Sequence, residues 1–274
     1  MRRGGARTLV AWTVVLVWVG VMAWNARREL FRPEAARLAL GAATLPPGVA
    51  YYFINRDRQP AGWARIEIDT LQGRAGFLIR EQYDVRLPGL GASGQVETRG
   101  DTWLNSRVEL DSLSRTIVRG SDTVRIRATV LGDSLEWWTS TDAGGVRLSA
   151  VAPQTFASWP LRFAAAGGAP EGETRRITLF DPIAGTLREV DLRSRGESVR
   201  VFADSADTDP DSGEWIVAGR DTVSAWWVES GADAAGETWV DEDGRILEAD
   251  LPGALRLRRT AFELAFFRDG STNR

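Results

Sequence analysis

Two spacings of apolar residues divide this chain. Residues 8–26 (TLVAWTVVLVWVGVMAWNA) carry no charge and are apolar on every side of a helix, whereas beyond residue 48 apolar and polar positions alternate in short runs between turn residues. A helix over the first segment rises about 1.5 Å per residue, roughly 28 Å in all, close to the hydrocarbon core of a bilayer. Trp12 and Trp24 stand near its ends, where indole rings favour the membrane interface. The segment predicts a transmembrane anchor over residues 1–28 with a short basic start, meeting the membrane through residues 8–26. Val21-Met22-Ala23 keeps a cleaved signal peptide as the alternative. Residues 29–47 read as a short juxtamembrane helix or stalk, entered at Pro33 and stopped before Leu45-Pro46-Pro47-Gly48.

From residue 48 onward the period is two. The clearest case is 123–131, where Val124, Ile126, Ala128 and Val130 alternate with Arg125, Arg127 and Thr129, so one face is expected to be buried and the other wet. Similar runs at 49–56, 62–69, 76–87, 95–104, 107–113, 135–140 and 146–151 predict a meander. It continues through 175–181, 187–194, 198–203, 214–218, 221–229, 237–241, 245–250 and 255–258. No long helix-period segment separates them, so parallel crossovers are excluded and the strands pair antiparallel. Asp243-Gly244 predicts a hairpin turn, because both residue types tolerate positive φ. The exception is 153–168 (PQTFASWPLRFAAAGG), expected to be a partly helical connection that lies across a sheet or joins two halves. The predicted fold is mainly β: an antiparallel curved sheet, from half-barrel to sandwich, over residues 48–268. An N-terminal transmembrane helix, a short covering helix and a tail at 269–274 complete it.

Composition narrows the chemistry. Cysteine and histidine are absent, and all 34 basic residues are Arg. Ser-His-Asp and Cys-His catalysis, His- or Cys-ligated zinc, disulfides and Lys Schiff bases are therefore excluded. The net charge of −3 and scattered arginines give no footprint for nucleic acid. No catalytic residue, metal ligand or cofactor is assigned. Residues 204–214 place Asp207, Asp209 and Asp211 at calcium-loop spacing. Ser212 and Ala218 stand where such a loop needs Gly and Glu, so the segment reads as a solvated hairpin loop.

Two adjacent tryptophan pairs remain, Trp137-Trp138 and Trp226-Trp227. Neighbours on a strand point to opposite faces, so one indole of each pair leaves the main core. Either a second layer covers it, or the four line an apolar groove for an acyl chain or a partner.

Three places carry a resemblance. Tyr51-Tyr52-Phe53-Ile54-Asn55 followed by Gly62-Trp63, then Phe180-Asp181-Pro182, then 238–247 (TWVDEDGRIL) resemble the bacterial cell-envelope β domain that stands before transglutaminase-like catalytic cores. The resemblance implies export, with the N-terminus inside and the β domain outside the cytoplasmic membrane. It implies no activity, because no catalytic core is present and Cys and His are missing. A looser likeness is to periplasmic lipid and lipoprotein carriers, whose antiparallel half-barrels wrap around helices. The expected function is thus a non-catalytic envelope domain binding an apolar ligand such as a lipid. The alternative is a module docking another envelope protein.

Overall fold

The computed structural model describes residues 15, 17–19, 21, 22, 34–73, 75–86, 94–140, 142–148, 152–231 and 236–266. Most of the expected membrane segment, and the tail at 269–274, lie outside the described residues. Within the segment Val15, Val17, Trp18, Val19, Val21 and Met22 are helical and exposed. No helix among the described residues is long and apolar enough to cross a membrane. The chain divides into residues 1–37 and residues 38–274, and all the strands belong to the second unit.

The strands are β1 (Gly48–Arg56), β2 (Gln59–Thr70), β3 (Gly76–Arg86), β4 (Gln95–Asn105), β5 (Leu110–Arg119), β6 (Asp122–Leu131), β7 (Ser134–Thr139) and β8 (Ala143–Arg147). They continue as β9 (Pro153–Gln154), β10 (Thr174–Asp181), β11 (Thr186–Thr208), β12 (Trp215–Ser230), β13 (Gly236–Asp241), β14 (Ile246–Leu251) and β15 (Leu255–Thr260). All fifteen form one sheet in the order β8-β7-β6-β5-β4-β3-β2-β1-β15-β14-β13-β12-β11-β10-β9. Consecutive antiparallel hairpins build each half, and β1 joins the halves by pairing with β15. The single parallel pairing, β9 with β10, is two residues long. The alternation expected from the sequence sorts side chains by face. Tyr52, Ile54, Ala64, Ile66, Ile68, Ile79, Leu104, Leu113, Ile126, Ala128, Leu135 and Leu257 are buried together on the inner face.

Three helices accompany the sheet: α1 (Glu34–Ala42), α2 (Ser158–Ala165) and α3 (Phe262–Phe266). α2 is the covering helix anticipated within 153–168, and it is buried on nearly every side. Leu161, Ala164 and Ala165 join the inner-face core, while Trp159 and Phe163 form a second cluster with Val190, Leu192, Val228 and Val240. Its start is held by a buried polar knot. Ser158 Oγ accepts from the Thr155 amide at 2.8 Å and donates to Gln154 Oε1 at 3.1 Å, and Gln154 Nε2 donates to the Val108 carbonyl at 3.1 Å. These bonds satisfy polar groups that burial would otherwise leave orphaned. Its end is a Schellman motif, in which the Gly167 amide donates to the Ala164 carbonyl at 2.8 Å and the Gly168 amide to the Phe163 carbonyl at 3.0 Å.

Several boundaries differ from those expected. The region assigned to a stalk enters the β unit early: Leu38, Ala42 and Leu45 are buried in the inner core, so the unit begins ten residues before 48. Four strand candidates merge into two. Segments 187–194 and 198–203 are one 23-residue strand, and 214–218 with 221–229 are one of 16 residues. The apparent breaks are bulges, between Ser194 and Glu197 and between Ala203 and Ser205, rather than chain reversals. β5 runs on to Arg119, well past 113. The Asp243-Gly244 turn is present but sits in a longer loop, where Asp241 Oδ1 accepts from the Asp243 and Arg245 amides at 3.1 and 2.8 Å. In the acidic hairpin, Asp209 Oδ1 likewise accepts from the Asp211 and Ser212 amides at 2.8 and 3.2 Å. These bonds hold its carboxyl below the usual range.

The long β11–β12 hairpin also supplies a second layer. Phe202, Ala225, Trp239 and Leu247 form a separate cluster, with Val223 and Trp227 packed against it. Arg200 bridges to Glu248 at 3.1 Å and lies over the Trp239 ring, and Arg259 lies over Phe202. Trp239 alternates with Val240 and Leu247 with Ile246, so this cluster occupies the outer face.

Candidate functional site

The four tryptophans singled out from the sequence go to four different environments. Trp226 faces inward, its ring 5.7 Å from Phe163 of α2. Trp227 faces outward and stacks on Trp239 at 5.5 Å under the β11–β12 hairpin, with its buried Nε1 lacking a hydrogen-bond partner among the described residues. Trp137 faces inward beneath the β10–β11 turn: a Cβ on Gly185 would come within 2.8 Å of its Nε1, so only glycine lets this turn lean across onto β7. Trp138 points out and is 41% exposed. It shares a shallow outer groove with Trp103, Ser112, Ser114, Arg127 and Thr129. A second layer therefore covers three of the four.

A cavity opens elsewhere among the described residues, and none of these tryptophans lines it. Its volume is about 950 Å³. Phe156 and Trp159 at the start of α2 form one wall. Val190 and Leu192 of β11 and Val228 of β12, which pack in one cluster with Trp159, line it as well, as do Leu251 and Leu255 of the β14–β15 hairpin. The exposed rim is formed by the β1–β2 turn (Asp57, Arg58), the β14–β15 turn (Pro252, Gly253, Ala254) and Ile183 of the β10–β11 turn, while Phe180, Asp181 and Pro182 also line the cavity. Ile183 is 68% exposed at this rim. Asp181 Oδ1 fixes the rim turn by accepting from the Ile183 and Ala184 amides at 3.0 and 3.1 Å.

A charged side chain also reaches this space from β5. Arg115 of β5 lines the cavity and donates from Nη2 to Glu81 of β3 at 2.7 Å. Tyr83 Oη donates to the other Glu81 oxygen at 2.9 Å. The Glu81 side chain is 1% exposed and that of Arg115 17%. Burial works against the guanidinium charge, but Glu81, Tyr83 and Asp181 outweigh it and hold the Arg115 pKa above its ordinary value. Burial, then the Glu81 charge, push the Tyr83 phenol well up. Arg115 is therefore a fixed cation. Among the described residues no cluster of three or more acidic side chains is placed to hold a metal ion.

Sequence reasoning missed this cavity. Val190, Leu192 and Val228 alternate as ordinary core positions do, and a void between elements leaves no trace in spacing. Part of the lining was nonetheless within reach: Asn55, Phe180, Asp181, Pro182 and Thr238 all belong to the three stretches singled out in the sequence, and all line the cavity.

With the geometry in hand, the comparisons with known proteins bear on the fold. No protein-family profile matches the chain, and no curated protein matches it. The chain is similar to a β-barrel-like protein of domain of unknown function DUF1849 from Brucella abortus. The TM-score is 0.50 at 14% identity, over 79% of this chain and 97% of that one. It is also similar to a DUF1089 family protein from Pseudomonas aeruginosa, with a TM-score of 0.43 and 12% identity over 72% of this chain and 92% of that one. The first likeness is one of fold: mainly β, a single large open sheet with few helices, in a β-barrel-like arrangement.

Proposed function

We propose that this chain is a non-catalytic, membrane-anchored envelope domain that binds an apolar ligand such as a lipid or acyl chain. The observation that carries the reading is the cavity of about 950 Å³ walled by Phe156, Trp159, Val190, Leu192 and Val228. Its size is that of small-molecule sites, commonly about 300–1,000 Å³. The apolar span at residues 8–26 and the envelope-domain motifs support the location, with the β unit on the extracytoplasmic side. The ligand site moves from the paired tryptophans to the space beside the first turn of α2. The docking reading keeps one supporting observation, the exposed Trp138 beside Trp103, which offers an apolar outer surface to another envelope protein.

Mass spectrometry of the organic extract from the full chain, purified from a membrane fraction, tests the choice. Binding predicts a stoichiometric acyl-containing species that a Leu192→Trp substitution, filling the cavity, removes. An extract free of such a species, with a co-purifying protein that Trp138→Ala releases, overturns binding in favour of docking.

A further inference from the structure

The inner end of the cavity is built around a guanidinium with donors to spare. Glu81, Gly100 and Arg115 lie in one row across β3, β4 and β5. Gly100 is the middle member. A Cβ there would stand 3.1 Å from Arg115 Nε, so its missing side chain leaves the lane along which Arg115 reaches Glu81. Tyr83 anchors the second Glu81 oxygen, and both ends of the pair are thereby locked. Guanidinium carries five N–H donors in a planar fork. Among the described residues Glu81 supplies the only hydrogen bond or ion pair that Arg115 makes. The remaining donors belong to a side chain that is 17% exposed and lines the cavity beside both apolar and polar groups, so water can meet them. A ligand that displaces this water gains by offering an acceptor in its place, because donors left unmet are costly.

Charge decides which acceptor. Glu81 already neutralises Arg115, and Asp181 also acts on it across the cavity. A ligand carboxylate would be a third negative charge around one desolvated cation, whereas a carbonyl oxygen accepts a charge-assisted hydrogen bond and adds no charge. Arg58, Arg188 and Arg256 line the cavity too, but all three are exposed, where water and salt weaken their pull on an anion, and Asp57 and Asp250 line it beside them.

We propose that Arg115 selects ester- or amide-linked acyl chains, its guanidinium donating to the linkage carbonyl while the chain lies against Trp159, Val190, Leu192 and Val228. This rests on the reading of the cavity as a chain-binding site.

The test uses the full chain in amphipol and a fluorescent alkyl probe displaced by three ligands of equal chain length: a methyl ester, the corresponding ether without the carbonyl, and the fatty acid at pH 8. The ester is expected to bind about 10-fold or more tightly than the ether, the range of one charge-assisted hydrogen bond. Arg115→Met is expected to abolish that preference, so that ester and ether bind alike. The Glu81→Gln/Arg115→Met double variant, which buries no uncompensated carboxylate, gives the same result where the single variant folds poorly. Equal affinity for ester and ether in the unaltered chain, or tightest binding of the fatty acid, overturns the assignment to Arg115 while leaving chain binding intact. Failure of the probe and all three ligands to bind overturns the chain-binding reading itself.

Discussion

Adding one methyl group at either of two neighbouring glycines separates the seat of α2 from its mere termination. Gly167 and Gly168 both have positive φ, 78° and 67°. An L-residue in that region costs about 1–2 kcal/mol, which both alanine variants bear. At Gly167 a Cβ meets nothing within 4 Å. At Gly168 it would fall 2.5 Å from Nε1 and Cζ2 of Trp226, well inside contact distance. The indole cannot simply swing away, since Phe163 packs edge-on against it at 5.7 Å. Overpacking of this kind adds about 1–3 kcal/mol. Gly168→Ala is therefore expected to exceed Gly167→Ala by about 1–3 kcal/mol, roughly 2–12 °C in Tm for a unit of this size. Urea denaturation followed by circular dichroism measures the difference. A Trp226→Leu background should remove most of it, because the clash partner is gone. Equal destabilisation by the two alanines, or a difference that persists without Trp226, would refute the packing of α2 on β12.

Other consequences follow from burial. Burial raises the phenol pKa of both Tyr52 and Tyr83, and the Glu81 charge adds to the effect at Tyr83. Their contribution to stability is complete below the ordinary phenol pKa of about 10 and is lost as pH rises through the folded values. Absorbance titration at the phenolate band should therefore show these two ionising only with unfolding, and Tyr83→Phe should lessen the alkaline loss of stability; two reversible ionisations near the ordinary value in the folded chain would contradict the buried network. Trp226→Ala should cost about 3–5 kcal/mol and Trp138→Ala less than about 1, by thermal melting, because one indole is wedged against α2 and the other lies open.

Period-two alternation made the strands legible. Ile126 and Ala128 are each 1% exposed as their spacing demands, yet Val124 of the same run is 39% exposed. The run continues past the area its neighbours cover, and periodicity cannot tell where cover ends. The two bulged strands were read as four because a glycine at 196 and another at 219 interrupt the pattern, and glycine marks a bulge as readily as a turn. Both faces are occupied at Trp226-Trp227, whereas at Trp137-Trp138 one face lies open at Trp138. Which layer met each face depended on a hairpin bending over its own sheet and a turn leaning across to β7, both tertiary events. The pairing of Glu81 with Arg115 spans 34 residues and runs through the empty lane at Gly100, a relation that only the register reveals.

The central claim is that the space beside the first turn of α2 holds an acyl chain, and the most direct measurement locates one there. Crystals of the full chain grown with a long-chain methyl ester brominated at mid-chain should give an anomalous bromine peak beside Trp159, Val190, Leu192 and Val228, absent from Leu192→Trp crystals. Bromine peaks confined to the outer groove at Trp103 and Trp138, or an unaltered chain whose cavity stays free of bromine at saturating ester, would contradict the account.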